Sequence, residues 1–224
     1  MKTIAIIPAR GGSKRVPGKN IKQLGDKELI VHSIAYAQQN KTIIDEIYVS
    51  TDDAKIKEVA LQQGVKVVDR PLEIAGDLEP TVTALQHVLE GIGEAVENVI
   101  LLQPTNPLRP EHLLKEAFES FESGQYDSLF TVTRNEQKLG KIEFNTFIPF
   151  NYTIGQRSQD LEPLYFENGL LYISKASLIR KGIIMSKQAC PMIVNHPFAQ
   201  VDIDTQEDFD YAEYLYNKFR IHNP

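Results

Sequence analysis

Residues 6–20, IIPARGGSKRVPGKN, join an apolar run to a loop that holds two adjacent glycines and four cations. The run itself, KTIAIIPA, is nearly continuously apolar, which is typical of a strand buried in a parallel sheet. Gly11 and Gly12 would let backbone N–H groups approach an anion closely, and Arg10 and Lys19 can neutralise phosphate charge. The stretch therefore predicts a central first strand followed by a phosphate-binding loop.

Neither common phosphate-binding pattern fits this loop. A Walker loop has four residues between its glycines and then Lys followed by Ser or Thr. Here five residues separate Gly12 from Gly18, and Asn20 follows Lys19. The dinucleotide-binding fingerprint also fails, because Gly11 and Gly12 are adjacent. A merely solvated basic loop is the alternative, and the position directly after an apolar strand favours the anion site.

The rest of the chain alternates strand-like and helix-like patterns. This order predicts an α/β fold, a doubly wound and mostly parallel sheet with helices on both faces. Polar, turn-rich segments follow the predicted strands: RGGSKRVPGKN, STDD, DRP and QPTNPLR. Ligands of such sheets bind beyond the carboxyl ends of the strands, so these segments are expected to form the site.

We expect a single domain over residues 1–224 with an inserted arm at about 134–165. The segment KIEFNTFIPFNYT within that arm is rich in aromatic and β-branched residues and has little helical period. It predicts a strand pair. Farther along, VDIDT is expected to be a strand that leads into an amphipathic final helix, QEDFDYAEYLYNKF.

Composition narrows the classes of partner. The chain has 224 residues and a formal charge of -6, which argues against nucleic acid as a partner. No apolar run approaches the ~20 residues of a membrane helix. The first strand is expected to begin almost at Met1, which leaves no room for a signal peptide. With a single cysteine, Cys190, no intrachain disulfide can form, and the expected location is the cytoplasm.

Six segments in order resemble the acylneuraminate cytidylyltransferase family, the CMP-sialic acid synthetases and their relatives. They are IPARGGSKRVPGKN, STDD, RP…AGD, LLQPTNPLR, ENGLLYI and DIDTQEDF, and together they cover nearly the whole chain. The resemblance implies a Rossmann-like nucleotidyltransferase that transfers CMP from CTP to a nonulosonic acid and releases pyrophosphate, with Mg²⁺. It also implies a homodimer in which the arm reaches the partner's active site.

The resemblance assigns the nucleotide-binding side chains residue by residue. It places Arg10, Ser13, Lys19 and Asn20 around the CTP phosphates and ribose, beside Gly11 and Gly12, which the backbone argument above already assigns to nucleotide binding. Arg70 and Thr81 match cytosine-side contacts, and Gln103 would bridge nucleotide and sugar. Each of these three has a structural alternative: a surface cation, a helix-start residue and a strand-end amide.

The metal assignment rests on Asp202 and Asp204. Two residues apart on a strand, their side chains would point the same way and repel each other unless a cation lay between them. Mg²⁺ bound by one or two carboxylates and substrate phosphates is a common arrangement. The alternative is that Asp204 or Thr205 caps the final helix, through a capping box of Thr205 and Asp208, which leaves Asp202 unexplained.

The sugar-side assignments also come from the resemblance. Arg157 resembles a carboxylate-binding arginine, Lys138 a second cation near the sugar, and Tyr172 a tyrosine that packs beside it. Solvated charges on a strand pair and core packing are the alternatives. The groups expected to carry the chemistry are Arg10, Lys19 and Asp204.

Two other functions are compatible with these residues. One is a cytidylyltransferase for a 3-deoxy-octulosonate-type sugar, although that family usually has an aromatic residue where Gly11 and Gly12 stand. The other is a catalytically silent nucleotide-binding protein, against which the presence of Arg10, Lys19 and both aspartates argues. The sequence leaves open whether the acid is sialic, legionaminic, pseudaminic or another.

Overall fold

The computed structural model describes residues 2–93 and 95–222, and most of its strands form one sheet. The seven strands of that sheet are β1 (Lys2–Pro8), β4 (Glu46–Thr51), β5 (Lys66–Asp69), β6 (Val96–Leu101), β7 (Ser128–Arg134), β10 (Tyr165–Lys175) and β11 (Cys190–Ile193). Two small hairpins complete the described strands: β2 (Gln23–Leu24) with β3 (Lys27–Glu28), and β8 (Gly140–Glu143) with β9 (Thr146–Pro149).

The order of strands across the main sheet is β11-β7-β10-β6-β1-β4-β5. Strand β10 runs antiparallel to both of its neighbours, β6 and β7. The other neighbouring pairs are parallel. The predicted mostly parallel α/β sheet is therefore confirmed, and its first strand lies in the interior of the sheet.

Helices cover both faces of this sheet. They are α1 (Leu29–Gln39), α2 (Ala54–Gln62), α3 (Thr81–Ile92), α4 (Leu113–Ser123), α5 (Ala176–Ile179) and α6 (Gln206–His222). Alternate residues of β1 point to opposite faces. Ile4 and Ile6 pack in one core cluster with α3 and α5, whereas Ala5 and Ile7 pack in another with α1 and α4. Burial on both faces explains why the first strand is almost continuously apolar.

The expected strand at VDIDT is wrong. Residues 201–203 have no strand assignment, and Asp204 and Thr205 lie in a bend before α6. Val201 and Ile203 alternate because both pack into a third core cluster with α6. The Ile203 N–H donates to the Thr105 carbonyl at 2.8 Å, which ties this segment to the turn after β6. Asp202 and Asp204 are therefore presented by an extended segment outside the sheet.

The predicted strand pair of the arm is present as the β8–β9 hairpin, which is not part of the main sheet. Its apolar side chains face outward: Phe144 is 102% exposed, Ile142 78% and the neighbouring Phe150 68%. No sequence pattern predicted the β2–β3 hairpin or the short edge strand β11. Within residues 2–93 and 95–222, no helix is both long and apolar enough to span a membrane.

Candidate active site

A cavity of about 370 Å³ lies beyond the carboxyl ends of β1 and β6. It is lined by most of the side chains that the sequence predicted for the site. These are Arg10, Ser13, Lys19, Asn20, Arg70, Thr81, Gln103, Asp202 and Asp204. The loops after three parallel strands, β1, β5 and β6, and the segment before α6 therefore meet at one edge of the sheet, as expected for this fold class.

The loop after β1 buries its two most important polar side chains by means of a glycine. Gly18 has φ 65°, a left-handed conformation that favours glycine, and it starts a short 3₁₀ turn over Lys19–Ile21. Lys19 and Asn20 are consequently buried. The Lys19 ammonium donates to the Ile203 carbonyl and lies 3.3 Å from Asp204 Oδ1. The Asn20 amide donates to the Arg10 carbonyl at 2.9 Å, which closes the loop.

The backbone N–H of Gly11 was expected to be free to bind an anion, but it is already hydrogen-bonded within the protein. It donates to Asp52 Oδ1 at 3.0 Å. A Cβ atom at Gly11 would lie 2.8 Å from the Cβ of Asp53, so glycine is needed for the close approach to the loop after β4. Gly12 is exposed, and neither glycine lines the cavity. The glycine allows the two loops to pack, and contact of the Gly11 N–H with phosphate stays a prediction that would require this hydrogen bond to be exchanged.

Asp77 is a site residue that the sequence analysis did not single out. Its carboxylate accepts from the Arg10 guanidinium and also pairs with Lys14. Hydrogen bonds from Lys14 and Arg10 hold the pKa of Asp77 below its usual range. The only signal available was its position in the AGD segment of the family resemblance. A substrate triphosphate at Arg10 would compete with this carboxylate.

Arg70 is held rigidly at the cavity wall. Its Nε donates to Ser50 Oγ at 3.0 Å and its Nη2 to the Ser50 carbonyl at 2.8 Å. Burial lowers the pKa of Arg70 below that of a free arginine, an effect opposed by the charge of Asp52. The alternative of a surface cation is wrong, because Arg70 is 9% exposed. Thr81 is the first residue of α3, so both of its possible roles are compatible with its position.

Asp202 and Asp204 place two carboxylates at the same cavity. Burial raises the pKa of Asp202, the Thr105 hydroxyl opposes that shift and the charge of Asp204 adds to it. The negative charge of Asp204 is partly offset by two cations, since Lys19 Nζ lies 3.3 Å and Arg15 Nη1 lies 3.4 Å from its carboxylate. Among the described residues, no group of three or more His, Cys, Asp or Glu side chains could hold a metal. Two hard oxygen ligands that need a counter-charge nevertheless fit Mg²⁺ when substrate phosphates supply further ligands.

Helix capping does not account for Asp204. The Thr205 Oγ1 accepts from the Asp208 N–H at 3.2 Å, and Asp208 Oδ2 accepts from the Thr205 N–H at 2.8 Å. This reciprocal pair is the predicted capping box. The carboxylate of Asp204 takes no part in it and faces the cavity.

A family model described as cytidylyltransferase matches residues 4–221. The chain belongs to the cytidylyltransferase family. The resemblance inferred from the six segments is thereby confirmed at the level of the family.

Curated relatives of this chain are named for several nonulosonic acids. The chain is 34% identical over 218 residues to N-acylneuraminate cytidylyltransferase of Streptococcus agalactiae serotype III (strain NEM316), covering 93% of this chain and 52% of that one. It is 35% identical to pseudaminic acid cytidylyltransferase of Campylobacter jejuni (strain 81-176), covering 96% and 97%. It is 33% identical to CMP-N,N'-diacetyllegionaminic acid synthase of Legionella pneumophila (strain Philadelphia 1), covering 96% of each. The chain thus spans about half the length of the streptococcal relative.

Solved structures with the same fold are more distant in sequence. A CMP:2-keto-3-deoxy-manno-octonic acid synthetase complexed with CTP has a TM-score of 0.72 at 16% identity, with 97% of this chain and 99% of that one covered. A 4-diphosphocytidyl-2C-methyl-D-erythritol synthase from Anaerococcus prevotii has a TM-score of 0.70 at 14% identity, with 96% of each covered. These similarities confirm the nucleotidyltransferase-like fold.

Three predicted sugar-side residues of this chain do not line the cavity. Lys138 donates to the Gln156 carbonyl, and the Arg157 Nε pairs with Asp160 at 2.8 Å; both cations are exposed in the inserted arm. Tyr172 is buried in the core, and its hydroxyl donates to Glu167. Burial raises the pKa of Tyr172, with smaller contributions from Glu167 and then Asp202. Sugar binding by all three remains a prediction.

Proposed function

We propose that this cytidylyltransferase transfers CMP from CTP to the anomeric hydroxyl of a nonulosonic acid and releases pyrophosphate. The observation that carries the proposal is the cavity itself, which is lined both by the cations Arg10 and Lys19 and by the carboxylates of Asp202 and Asp204. The relatives support the sugar class, because their names are those of enzymes for sialic, pseudaminic and legionaminic acids.

The chain's own residues would act through charge and position. As the sugar oxygen forms its bond to the α-phosphorus, the hydroxyl proton is lost to solvent, the bond from that phosphorus to the bridging oxygen breaks, and negative charge grows on the pyrophosphate. Arg10 and Lys19 would offset that charge from fixed positions. Gln103 and Thr81 would hold the two substrates in an orientation that favours attack.

We include Mg²⁺ in the proposal, with Asp202 and Asp204 as its protein ligands. When bound, the cation would offset phosphate charge and lower the pKa of a hydroxyl that it coordinates. Asp202 is suited to this role because its carboxylate is destabilised by burial and by Asp204, a cost that a cation would relieve. Asp204 would exchange its contacts with Lys19 and Arg15 for the metal.

A homodimer in which the arm contacts the partner also belongs to the proposal. The exposed side chains of Ile142, Phe144 and Phe150 lie close together in sequence on the β8–β9 hairpin and just after it. Apolar surfaces of this kind mark association sites. An arm that reaches the partner's cavity would bring Lys138 and Arg157 to the sugar carboxylate. The cytoplasm, where nucleoside triphosphates are available, is the location that this reaction implies.

Pyrophosphate release tests the proposed reaction. Purified protein is mixed with CTP, Mg²⁺ and, separately, sialic, legionaminic, pseudaminic and 3-deoxy-octulosonic acids. We expect release with at least one nine-carbon acid. Release with the eight-carbon acid alone would favour the alternative enzyme, and tight CTP binding without release in every mixture would favour a silent binder.

A further inference from the structure

Arg109 is a charged side chain buried behind the cavity wall, and only 7% of it is exposed. Its Nε donates to the Leu170 carbonyl at 2.7 Å. Its Nη1 donates to Ser33 Oγ at 3.0 Å, and its Nη2 donates to the Gln103 carbonyl at 2.8 Å. The guanidinium carbon also lies 5.6 Å from the centre of the Tyr36 ring. All of these hydrogen-bond acceptors are neutral.

Burying a guanidinium among neutral groups is unfavourable, since no opposite charge offsets the loss of hydration. Burial lowers the pKa of Arg109 to about 10, and the group therefore stays charged at neutral pH. Apolar side chains of similar volume usually fill such a space with less loss of stability. Packing alone is therefore a poor explanation of this arginine.

The contact with Gln103 connects Arg109 to the site. The Gln103 carbonyl accepts from Arg109 and also from the Asn106 N–H at 3.2 Å. The Ser33 hydroxyl, at 3.4 Å, approaches the same oxygen. These donors fix the peptide group that joins Gln103 to Pro104, and the side chain of Gln103 lines the cavity.

The same guanidinium also holds β10 against this turn. Its partner Leu170 follows Gly169, which has φ 74° and whose added Cβ would lie 2.8 Å from Asn106 Oδ1. The Asn106 amide donates to the Asn168 carbonyl at 3.1 Å. Arg109 and Asn106 therefore clamp the irregular part of β10 to the turn that carries Gln103.

We propose that Arg109 is a positioning residue for the reaction: it fixes the Gln103 backbone so that the Gln103 side-chain amide is held toward the substrates. Arg109 does not line the cavity and acts through Gln103. This inference rests on the proposed function, because the substrate role of Gln103 does.

A double-mutant cycle separates positioning from general stability. Arg109→Lys keeps the positive charge but lacks the planar fork that reaches three acceptors. It should lower kcat/KM about tenfold or more in the wild-type background, but less than about threefold when Gln103→Ala is already present, because residues that act through one another are not additive. Arg180→Lys is the matched control, since Arg180 is exposed at the end of α5. Equal losses from Arg109→Lys in both backgrounds would overturn the inference.

Hydrogen exchange gives a second readout that does not depend on activity. In Arg109→Lys, the Asn106 amide should exchange faster, because its acceptor is the Gln103 carbonyl, whereas the amides of β1 should not change. Unchanged exchange over residues 103–108 in the folded variant would also overturn the inference. A wild type inactive with every acid would refute the proposed function, and the exchange experiment would still decide the positioning. If Arg109→Lys does not fold, both measurements are made on Ser33→Ala instead. That substitution removes the hydroxyl that contacts both Arg109 and Gln103.

Discussion

The Lys19 ammonium lies 3.3 Å from Asp204 Oδ1, so a cation from the first loop meets a carboxylate from the segment before the last helix. The side chain of Lys19 is only 11% exposed, whereas that of Asp204 is 57% exposed. The contact therefore couples a fixed buried cation to a carboxylate that is still accessible from the cavity. Under the proposed function, Lys19 would meet a phosphate and Asp204 the divalent cation.

Loss of either loop cation should slow turnover strongly. Lys19→Ala and Arg10→Ala should each lower kcat by about 10²-fold or more, the scale for the loss of one preorganised charge stabiliser. Steady-state kinetics with CTP and the accepted acid, well below the melting temperature of each variant, measure the effect.

Two control variants separate this role from general effects of charge. Lys187→Ala removes an exposed cation outside the cavity and should leave kcat unchanged. Asp77→Asn removes the anion paired with Arg10 and should keep turnover while lowering the KM for CTP. Near-normal rates in both loop variants would refute the assignment of the loop.

Asp204→Asn should abolish Mg²⁺-dependent turnover without unfolding the protein. An amide is a poor ligand for a hard dication, so the Mg²⁺ dependence should disappear together with kcat. The capping box belongs to Thr205 and Asp208, and the melting temperature of Asp204→Asn should therefore barely change. Thr205→Ala is the converse control: loss of a cap costs about 1 kcal/mol and should lower the melting temperature while Mg²⁺ dependence remains. A stable and active Asp204→Asn protein would exclude the metal role.

The raised pKa of Asp202 predicts a specific pH dependence. Protons compete with Mg²⁺ for a carboxylate below its pKa, so the Mg²⁺ concentration for half-maximal rate should begin to rise at a higher pH than an ordinary aspartate would give. Kinetic titrations of Mg²⁺ at a series of pH values test this.

The raised pKa of Asp202 should also make the folding stability of the metal-free protein depend on pH. Because folding raises this pKa, the ionised Asp202 destabilises the metal-free fold above that pKa, and the penalty is lost as pH falls through it. Asp202→Asn should therefore raise the melting temperature of the metal-free protein at neutral pH. A lowered melting temperature would show that the carboxylate is stabilised by its surroundings and would remove the reason to expect a cation.

The main features of the site were predictable because they are local. An apolar strand followed by paired glycines and cations predicts both β1 and the loop, and Thr205 with Asp208 predicts the start of α6. The alternation of apolar and acidic residues in VDIDT led to the wrong prediction of a strand. Val201 and Ile203 are apolar because they face a core formed with α6, and they do not belong to a sheet.

Contacts between distant segments could not be predicted in the same way. Arg10 and Asp77 are 67 residues apart, and Arg109 and Leu170 are 61 apart. Gly11 was predicted to bind phosphate because glycine permits close approach, but the approaching group is Asp53 of the neighbouring loop. Residue type restricted what these positions could do, and tertiary packing decided which partner each one met.

Arg157→Ala should affect the acid and not the nucleotide. If Arg157 meets the sugar carboxylate, the KM for the acid should rise while the affinity for CTP, measured by calorimetry, stays the same. The exposed pair with Asp160 is worth little, so folding should not change. Asp160→Asn, which removes only that partner, is the control. A loss of CTP affinity in Arg157→Ala would assign Arg157 to the nucleotide half.

The arm should hold two chains together. Sedimentation at micromolar concentration should give a dimer, and Phe144→Glu should shift it toward monomer because a charge would have to be buried in the interface. Leu61→Glu places the same charge on another exposed apolar residue, in α2, and should leave the dimer intact. A wild-type monomer would contradict the proposed role of the arm.

Direct detection of the transferred CMP is the most decisive measurement. The wild type is incubated with CTP, Mg²⁺ and each nonulosonic acid, and the CMP ester and pyrophosphate are quantified together by mass spectrometry and a coupled assay. Our account predicts equal amounts of the two products with at least one acid, and neither product in the presence of chelator. CTP that is bound but not consumed with any acid, or pyrophosphate released without a CMP ester, would contradict it.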